Sequence, residues 1–171
     1  MVDHIGTECV RAATAADSSR IAEILVFGKR TAYRRIFLND VGSFNDLQVA
    51  PLLRAYESDP ALLHNILVYD DGIVKGMLTR QYETGGPAAD EAQLCELYVE
   101  PFFTGMGIGH ALMSYFLLEA TKLGKTRAGL WVLRDNPSAQ KFYASFGFAP
   151  TGASQEVYDT GVMEVRYVKT L

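Results

Sequence analysis

A chain of 171 residues with 49% hydrophobic and 21% charged composition can bury one substantial core, which excludes a disordered or low-complexity protein. Its net charge of −4 and pI near 5.4 argue against a nucleic-acid partner, which would want a clustered basic face, and suit a cationic or amine substrate. The start carries no basic n-region followed by an apolar stretch, no apolar run reaches the ~18 residues a bilayer requires, and Cys9 and Cys95 lack zinc-type spacing. We therefore expect one domain over residues 1–171, cytoplasmic, without membrane partner or metal, its two cysteines reduced and in the core.

The chain opens with a short strand around Thr7 to Arg11. Asp17 or a neighbouring serine can cap a helix whose apolar positions Ile21, Ile24, Leu25 and Phe27 have helical spacing, continuing past Gly28 or restarting before about Phe37. Lys29, Arg30, Arg34 and Arg35 read as its solvated basic face. A second helix is expected from Phe44 to Tyr56, interrupted or re-angled at Pro51. Asn65 to Tyr69, the Asp70-Asp71-Gly72 turn and Ile73 to Tyr82 form a hairpin signature, with Gly76 marking a bulge or a close backbone contact. Thr84 to Asp90 is an exposed loop. The run Leu94 to Val99 alternates as a strand, with Leu94, Glu96 and Tyr98 on one face and Cys95, Leu97 and Val99 on the other.

After that strand comes a loop with glycines at 105, 107 and 109, and then a helix with Ile108, Leu112, Phe116, Ala120 and Leu123 on one stripe. The unpaired amides of a helix N-terminus, with the positive end of its dipole, make an anion site that glycines let a ligand approach; a tight strand-to-helix turn is the alternative. The Gly-Lys-Ser/Thr of a Walker loop is missing, because His110 and Ala111 follow Gly109. A dinucleotide fingerprint is also excluded, because only Ile108 separates the last two glycines. Arg127 to Leu133 is the next strand, so a βαβ unit makes it parallel to the first. Asn136 caps a further helix with Pro137 at its first position and Ala139, Phe142, Tyr143 and Phe146 at helical spacing. A short strand from Phe148 to Gly152, a turn region from Ala153 to Thr160 and an alternating strand from Val162 to Val168 close the sheet.

Together, VEPFFTGMGIGHAL and WVLRDNPSAQKFYASFGF resemble the cofactor-binding core of the GNAT superfamily of N-acetyltransferases, and the order of elements resembles it along nearly the whole chain. The resemblance implies a mixed α/β, three-layer fold: a mostly antiparallel sheet of about seven strands, a parallel pair splayed at the cofactor site, and helices on both faces. It implies acetyl-CoA as cofactor, its pyrophosphate wrapped by Thr104, Gly105, Met106, Gly107, Ile108 and Gly109 with His110 following. Leu97, Tyr98 and Val99 would hold the pantetheine arm and acetyl carbonyl through main-chain groups. Asn136 would contact the cofactor, and Tyr143, near the sulfur, would be the acid for the departing thiolate. Thr104 departs from the Gln or Arg usual there, which puts a side-chain contact to phosphate in doubt.

The reaction implied is direct transfer of an acetyl group to a primary amine. Free alkyl amines have a pKa of about 10.4, so a base or a water chain must take a proton; Glu96, a carboxylate among apolar neighbours on the central strand, is the base candidate, with Gln93 and Glu100 as further positions approaching the acceptor. The oxyanion donor would be the backbone N–H of Val99 or its neighbour. Asp40, Asp46, Glu57, Glu156 and Asp159 lie on segments that resemble the family's acceptor walls, which favours a small cationic amine over a protein terminus or lysine. A non-catalytic acyl-CoA sensor would keep the loop and Asn136 without needing Glu96 and Tyr143. Homodimerisation, frequent in the family, is left open.

Overall fold

Asp17 begins the architecture. In the computed structural model, which describes residues 6–82 and 89–171, its carboxylate accepts from Thr14 N at 2.8 Å and from Thr14 Oγ1 at 2.9 Å. It also accepts a two-pronged bond from Arg11, at 2.7 and 2.8 Å. Arg11 in turn reaches Asp70 at 2.7 Å, tying β1 (Val10–Ala12) and β2 (Ile66–Asp70) to the start of α1 (Ser18–Phe37). One backbone amide and one hydroxyl of Thr14 are satisfied this way, and a bidentate charged pair is one of the stronger links a small sheet edge can make.

The chain divides into two units, one of residues up to Arg80 together with Glu96–Phe116, the other of Gln81–Cys95 with Leu117–Leu171. In the first, Ile21, Ile24 and Leu25 of α1 pack with Tyr56, Leu63, Ile66, Val68, Met77 and Tyr98. α1 runs unbroken past Gly28 to Phe37, with its buried positions ending at Gly28. A π-helical turn, Gly42–Asp46, precedes α2 (Val49–Ser58). Pro51, expected to interrupt this helix, sits instead in its first turn, where a missing N–H leaves no intrahelical bond unmade. β2 and β3 (Val74–Tyr82) form the expected hairpin. A Cβ on Gly76 would stand 2.7 Å from Ile108 Cγ2 and 3.1 Å from Leu112 Cδ1, so the residue marks the close approach of α3 (Ile108–Lys122) to β3.

In the second unit β4 (Glu91–Val99) begins beside β5 (Arg127–Leu133), parallel over Glu91–Leu94 and Arg127–Leu130. β5 pairs antiparallel with β7 (Met163–Thr170), and β7 with the exposed β6 (Ala149–Glu156). Arg166 bonds Gln93 at 2.8 Å and pairs with Glu91, its guanidinium 5.6 Å from the centroid of Trp131. Between β5 and β6 in sequence lies α4 (Pro137–Ser145). The strand order is β1-β2-β3-β4-β5-β7-β6, one seven-stranded mixed sheet, matching the expected fold class.

Other local expectations differ as well: the second helix, expected from Phe44, begins at Val49 because a π-helical turn takes up Gly42–Asp46, and Phe27, expected on the apolar stripe of α1, is 42% exposed. Thr7–Cys9 is a 3-10 turn, and the first strand starts only at Val10. The strand expected to end at Gly152 continues through Ala153–Glu156, because the Met163–Thr170 partner extends along it. Leu123, placed on the buried stripe by spacing, falls beyond α3 and is 57% exposed. Cys9 is half-buried and Cys95 exposed, neither in a disulfide among the described residues, so neither is a core residue. Of the expected loop from Thr84 to Asp90, residues 84–88 lie outside the described residues.

Candidate active site

Alternation along β4 buries Leu94 and Tyr98 and leaves Glu96, on the same face, half-buried. A carboxylate between two buried residues needs a polar partner, and Glu96 has two: Lys29 Nζ at 2.8 Å and Thr79 Oγ1 at 3.5 Å. Two residues on, the hydroxyl of Tyr98 donates to that of Tyr33 at 2.9 Å. α1 approaches this strand closely because position 28 has no side chain. A Cβ there would lie 2.8 Å from Tyr98 Cδ1.

Leu97 and Val99 are half-buried. Glu100, buried, ends the strand with its N–H donating to Lys75 O at 2.8 Å and its carboxylate 3.1 Å from Arg20. Glu100 is thus ion-paired, as Glu96 is with Lys29. Gln93, the other alternative position, is held by Arg166 in the second unit.

The loop follows a 3-10 turn over Pro101–Phe103. Thr104 Oγ1 donates to Pro101 O at 3.1 Å, so its hydroxyl proton closes the turn. Gly105 and Gly107 have φ of +79° and +81°, and a Cβ at either would meet nothing within 4 Å. The backbone is therefore left-handed beside open space, a combination favouring glycine and admitting a ligand to the main chain. Ala111 N donates to Gly107 O at 3.0 Å; the amides before it lie ahead of this bond at the positive end of a 15-residue helix. Met106 is 65% exposed and Ile108 buried beneath the loop, while Gly109 is half-buried and His110 exposed. No lysine or arginine occurs between Thr104 and His110, so the grip on an anion would come from main-chain donors. These features fit a diphosphate.

The first unit also holds a cavity of about 580 Å³. Leu25, Leu47, Pro51, Leu52, Leu62 and Ile66 give it an apolar wall, with Lys29, Asp46, Gln48, Tyr56, Thr79 and Glu96 completing it. The Tyr56 phenol is pushed up to about 12, by burial first and by the charge of Glu96 second, so it stays protonated at neutral pH. Among the acidic residues expected to attract a cation, Asp46 lines this cavity. Asp40 is forked to Arg34, which holds its carboxyl below the usual range. Glu57 is exposed, Glu156 accepts from Gly161 N, and Asp159 sits in a turn at φ +56°.

Asn136 and Tyr143 stand in the second unit. Asn136 Oδ1 accepts from Ala139 N at 3.1 Å as the N-cap of α4, which leaves its side-chain N–H groups as donors. Tyr143 is half-buried, its ring 5.4 Å from that of Phe142 and 6.3 Å from that of Phe148. The residues Glu96 to His110 thus form one continuous stretch of the first unit, and these two do not belong to it.

Lys29, Tyr56 and Thr79 are site residues that the sequence reading missed. Spacing carried a signal for Lys29: it follows Ile21 and Leu25 at intervals of four residues, on the inward stripe of α1.

Residues 21–148 match the profile of the Acetyltransferase (GNAT) family. An uncharacterized N-acetyltransferase of Methanocaldococcus jannaschii is 40% identical over 57 residues, 33% of this chain and 25% of that protein's own length. The PaiA N-acetyltransferase of Thermoplasma acidophilum, solved in complex with coenzyme A, superimposes with a TM-score of 0.69 at 20% identity, covering 95% of this chain and 98% of that one. YncA of Salmonella typhimurium, a putative acetyltransferase solved with acetyl-CoA, gives 0.64 at 21% identity over 94% of this chain and 92% of that one. At such identities the likeness is one of fold.

Proposed function

This chain belongs to the Acetyltransferase (GNAT) family, and from that premise we propose that it transfers an acetyl group from acetyl-CoA to a primary amine, the acceptor being a small cationic amine. One observation carries the proposal: a left-handed, space-facing glycine pair at 105 and 107 opening directly into α3.

In this reading residues 1–171 act as one catalytic domain in the cytoplasm, with no nucleic-acid or membrane partner; among the described residues no helix is long and apolar enough to cross a membrane. Thr104 to His110 would hold the diphosphate, the main chain of Leu97, Tyr98 and Val99 the pantetheine arm, and Asn136 the cofactor through its free donors. When bound, acetyl-CoA supplies an acetyl thioester: a C–N bond forms as the C–S bond breaks, one proton leaving nitrogen and one reaching sulfur. Glu96 takes the first proton, directly or through a water, and Tyr143 Oη provides the second. The N–H of Val99 steadies the developing negative charge on the carbonyl oxygen. Apolar side chains on the lining would take over part of the amine's solvation shell, which disfavours its charged form.

Thermal shifts with acetyl-CoA, CoA, ATP and NAD in parallel, followed by thiol release with an amine panel, test this. Stabilisation by acetyl-CoA and CoA alone, with amine-dependent thiol release, is expected. Equal stabilisation by ATP or NAD would overturn the cofactor assignment. Stabilisation without release for any amine would leave a sensor.

A further inference from the structure

We infer that the acceptor is an amine carrying one amino group on an apolar body, an alkyl or arylalkyl monoamine, and that Lys29 is the residue that rejects acceptors with a second cationic group. This rests on the acetyl-transfer reading above and narrows its substrate class. Half of the residues lining the cavity of about 580 Å³ are leucine, isoleucine or proline. A volume of that order accommodates a small organic ligand, and such walls favour the burial of methylene or aromatic groups.

The lining carries one cation and two carboxylates, and the pairing of Lys29 with Glu96 leaves only Asp46 among them without a cationic partner on the lining. A polyamine or amino sugar would want separated carboxylates, one for each ammonium. Of the two carboxylates here, Glu96 already has Lys29 Nζ at 2.8 Å, and that fixed cation faces any second ammonium seated nearby. Asp46 is exposed, able to attract an arriving ammonium without holding it in the interior. Tyr56, buried and protonated, adds a neutral phenol. A cation beside the seat also favours the neutral form of a bound amine, the form that attacks a thioester. Lys29 is therefore a specificity-determining and positioning residue. It makes a second ammonium costly and draws a single amine towards its free base.

The test measures kcat/KM for hexylamine, 2-phenylethylamine, 1,6-diaminohexane, spermidine, glucosamine and a short peptide with a free N-terminus, on the wild type and on Lys29→Met and Lys29→Arg. Calorimetric binding of hexylamine and 1,6-diaminohexane to the enzyme without acetyl-CoA is the second readout. The wild type should favour hexylamine over 1,6-diaminohexane by about tenfold or more, the scale on which an apolar pocket discriminates single groups. Lys29→Met should shrink that ratio several-fold in both binding and turnover, and Lys29→Arg, which keeps the charge, should preserve it. Its rate profile for hexylamine should also move to higher pH in Lys29→Met. A wild type preferring spermidine, glucosamine or the peptide, or a ratio unmoved in Lys29→Met, overturns the inference. If no amine is acetylated, the acetyl-transfer reading fails while calorimetry still decides the cavity's preference: hexylamine bound more tightly upholds it, and equal or reversed affinity defeats it.

Discussion

Replacing Gly28 by alanine sets two effects of known size against each other. In a solvent-facing helix interior alanine is worth about 1 kcal/mol more than glycine, so propensity alone predicts a more stable protein. Position 28 is buried, and the new methyl would lie 2.8 Å from Tyr98 Cδ1 and 3.0 Å from its Cβ and Cγ. Carbon atoms rest at about 3.5–4.0 Å, so helix or strand must yield by roughly half an ångström or more. Tyr98 cannot swing aside cheaply: one of the atoms met is its own Cβ, fixed to the backbone, and its hydroxyl is held by Tyr33 at 2.9 Å. Overpacking of this kind costs about 1–3 kcal/mol, which leaves a net loss of up to about 2 kcal/mol. For a domain of this size 1 kcal/mol moves Tm by about 2–4 °C, so thermal unfolding followed by circular dichroism should show a drop of up to about 4–8 °C. The KM for acetyl-CoA should rise as well, because the displaced residue is part of the strand assigned to the pantetheine arm. A Gly28→Ala protein with Tm raised by a few degrees would refute the packing argument.

Three further outcomes follow from the same geometry. Arg11 holds the Asp17 carboxyl down at about 2 from the usual 3.8, a drop worth on the order of 2 kcal/mol at about 1.36 kcal/mol per pH unit. Because the folded value is the lower one, that stability is complete above pH 4 and is lost as pH falls towards 2; Asp17→Asn should lower Tm at pH 7 and flatten its dependence between those limits, and an unchanged acid profile would count against the assignment. Gly76→Ala would drive a methyl to 2.7 Å from Ile108 Cγ2, at the first residue of α3, so isothermal titration should find CoA binding weakened several-fold; undiminished affinity would show that the loop does not depend on this contact. Tyr143→Phe should reduce kcat by at least about tenfold, within the range general acids supply, with little change in KM for acetyl-CoA, and a normal kcat would remove the hydroxyl from the mechanism.

Much of the fold was legible because its signals are local. The stripe Ile21, Ile24, Leu25 marks α1, the Asp70-Asp71-Gly72 turn marks the β2–β3 hairpin, and Asn136-Pro137 marks the start of α4 through capping chemistry that needs no tertiary context. The misreadings share a different cause. Pro51 signals a break when its place within a helix is unknown and an N-terminal turn when Gln48 is seen to begin it. Ala153–Glu156 has the polar composition of a loop and becomes a strand through its ladder with Met163–Val165, since the outermost strand of a sheet buries little and needs no apolar alternation. Cys95 alternates correctly, and the side it faces proves to be the exposed one.

At the site, the anion loop could be read from glycine spacing because backbone geometry leaves a compositional trace, whereas the cavity could not, because its parts are scattered from Leu25 to Glu96. The consecutive residues Gly28 and Lys29 show how closely the two are joined. The first, by lacking a side chain, lets α1 settle against Tyr98; the second then reaches Glu96, two residues earlier on the same face of the same strand. One turn of helix thereby fixes both the position of the strand proposed to hold the acetyl group and the cation beside Glu96. Read as a basic cluster, Lys29-Arg30 looked like solvent-facing lysine and arginine; in the fold Arg30 donates instead to the carbonyls of Ser43 and Leu47 at 2.8 Å each, capping the segment that carries Asp46. Adjacent cations on one helix therefore do separate work, one inside the cavity and one holding its rim, and composition alone could not divide them because the division is made by which way each side chain leaves the helix.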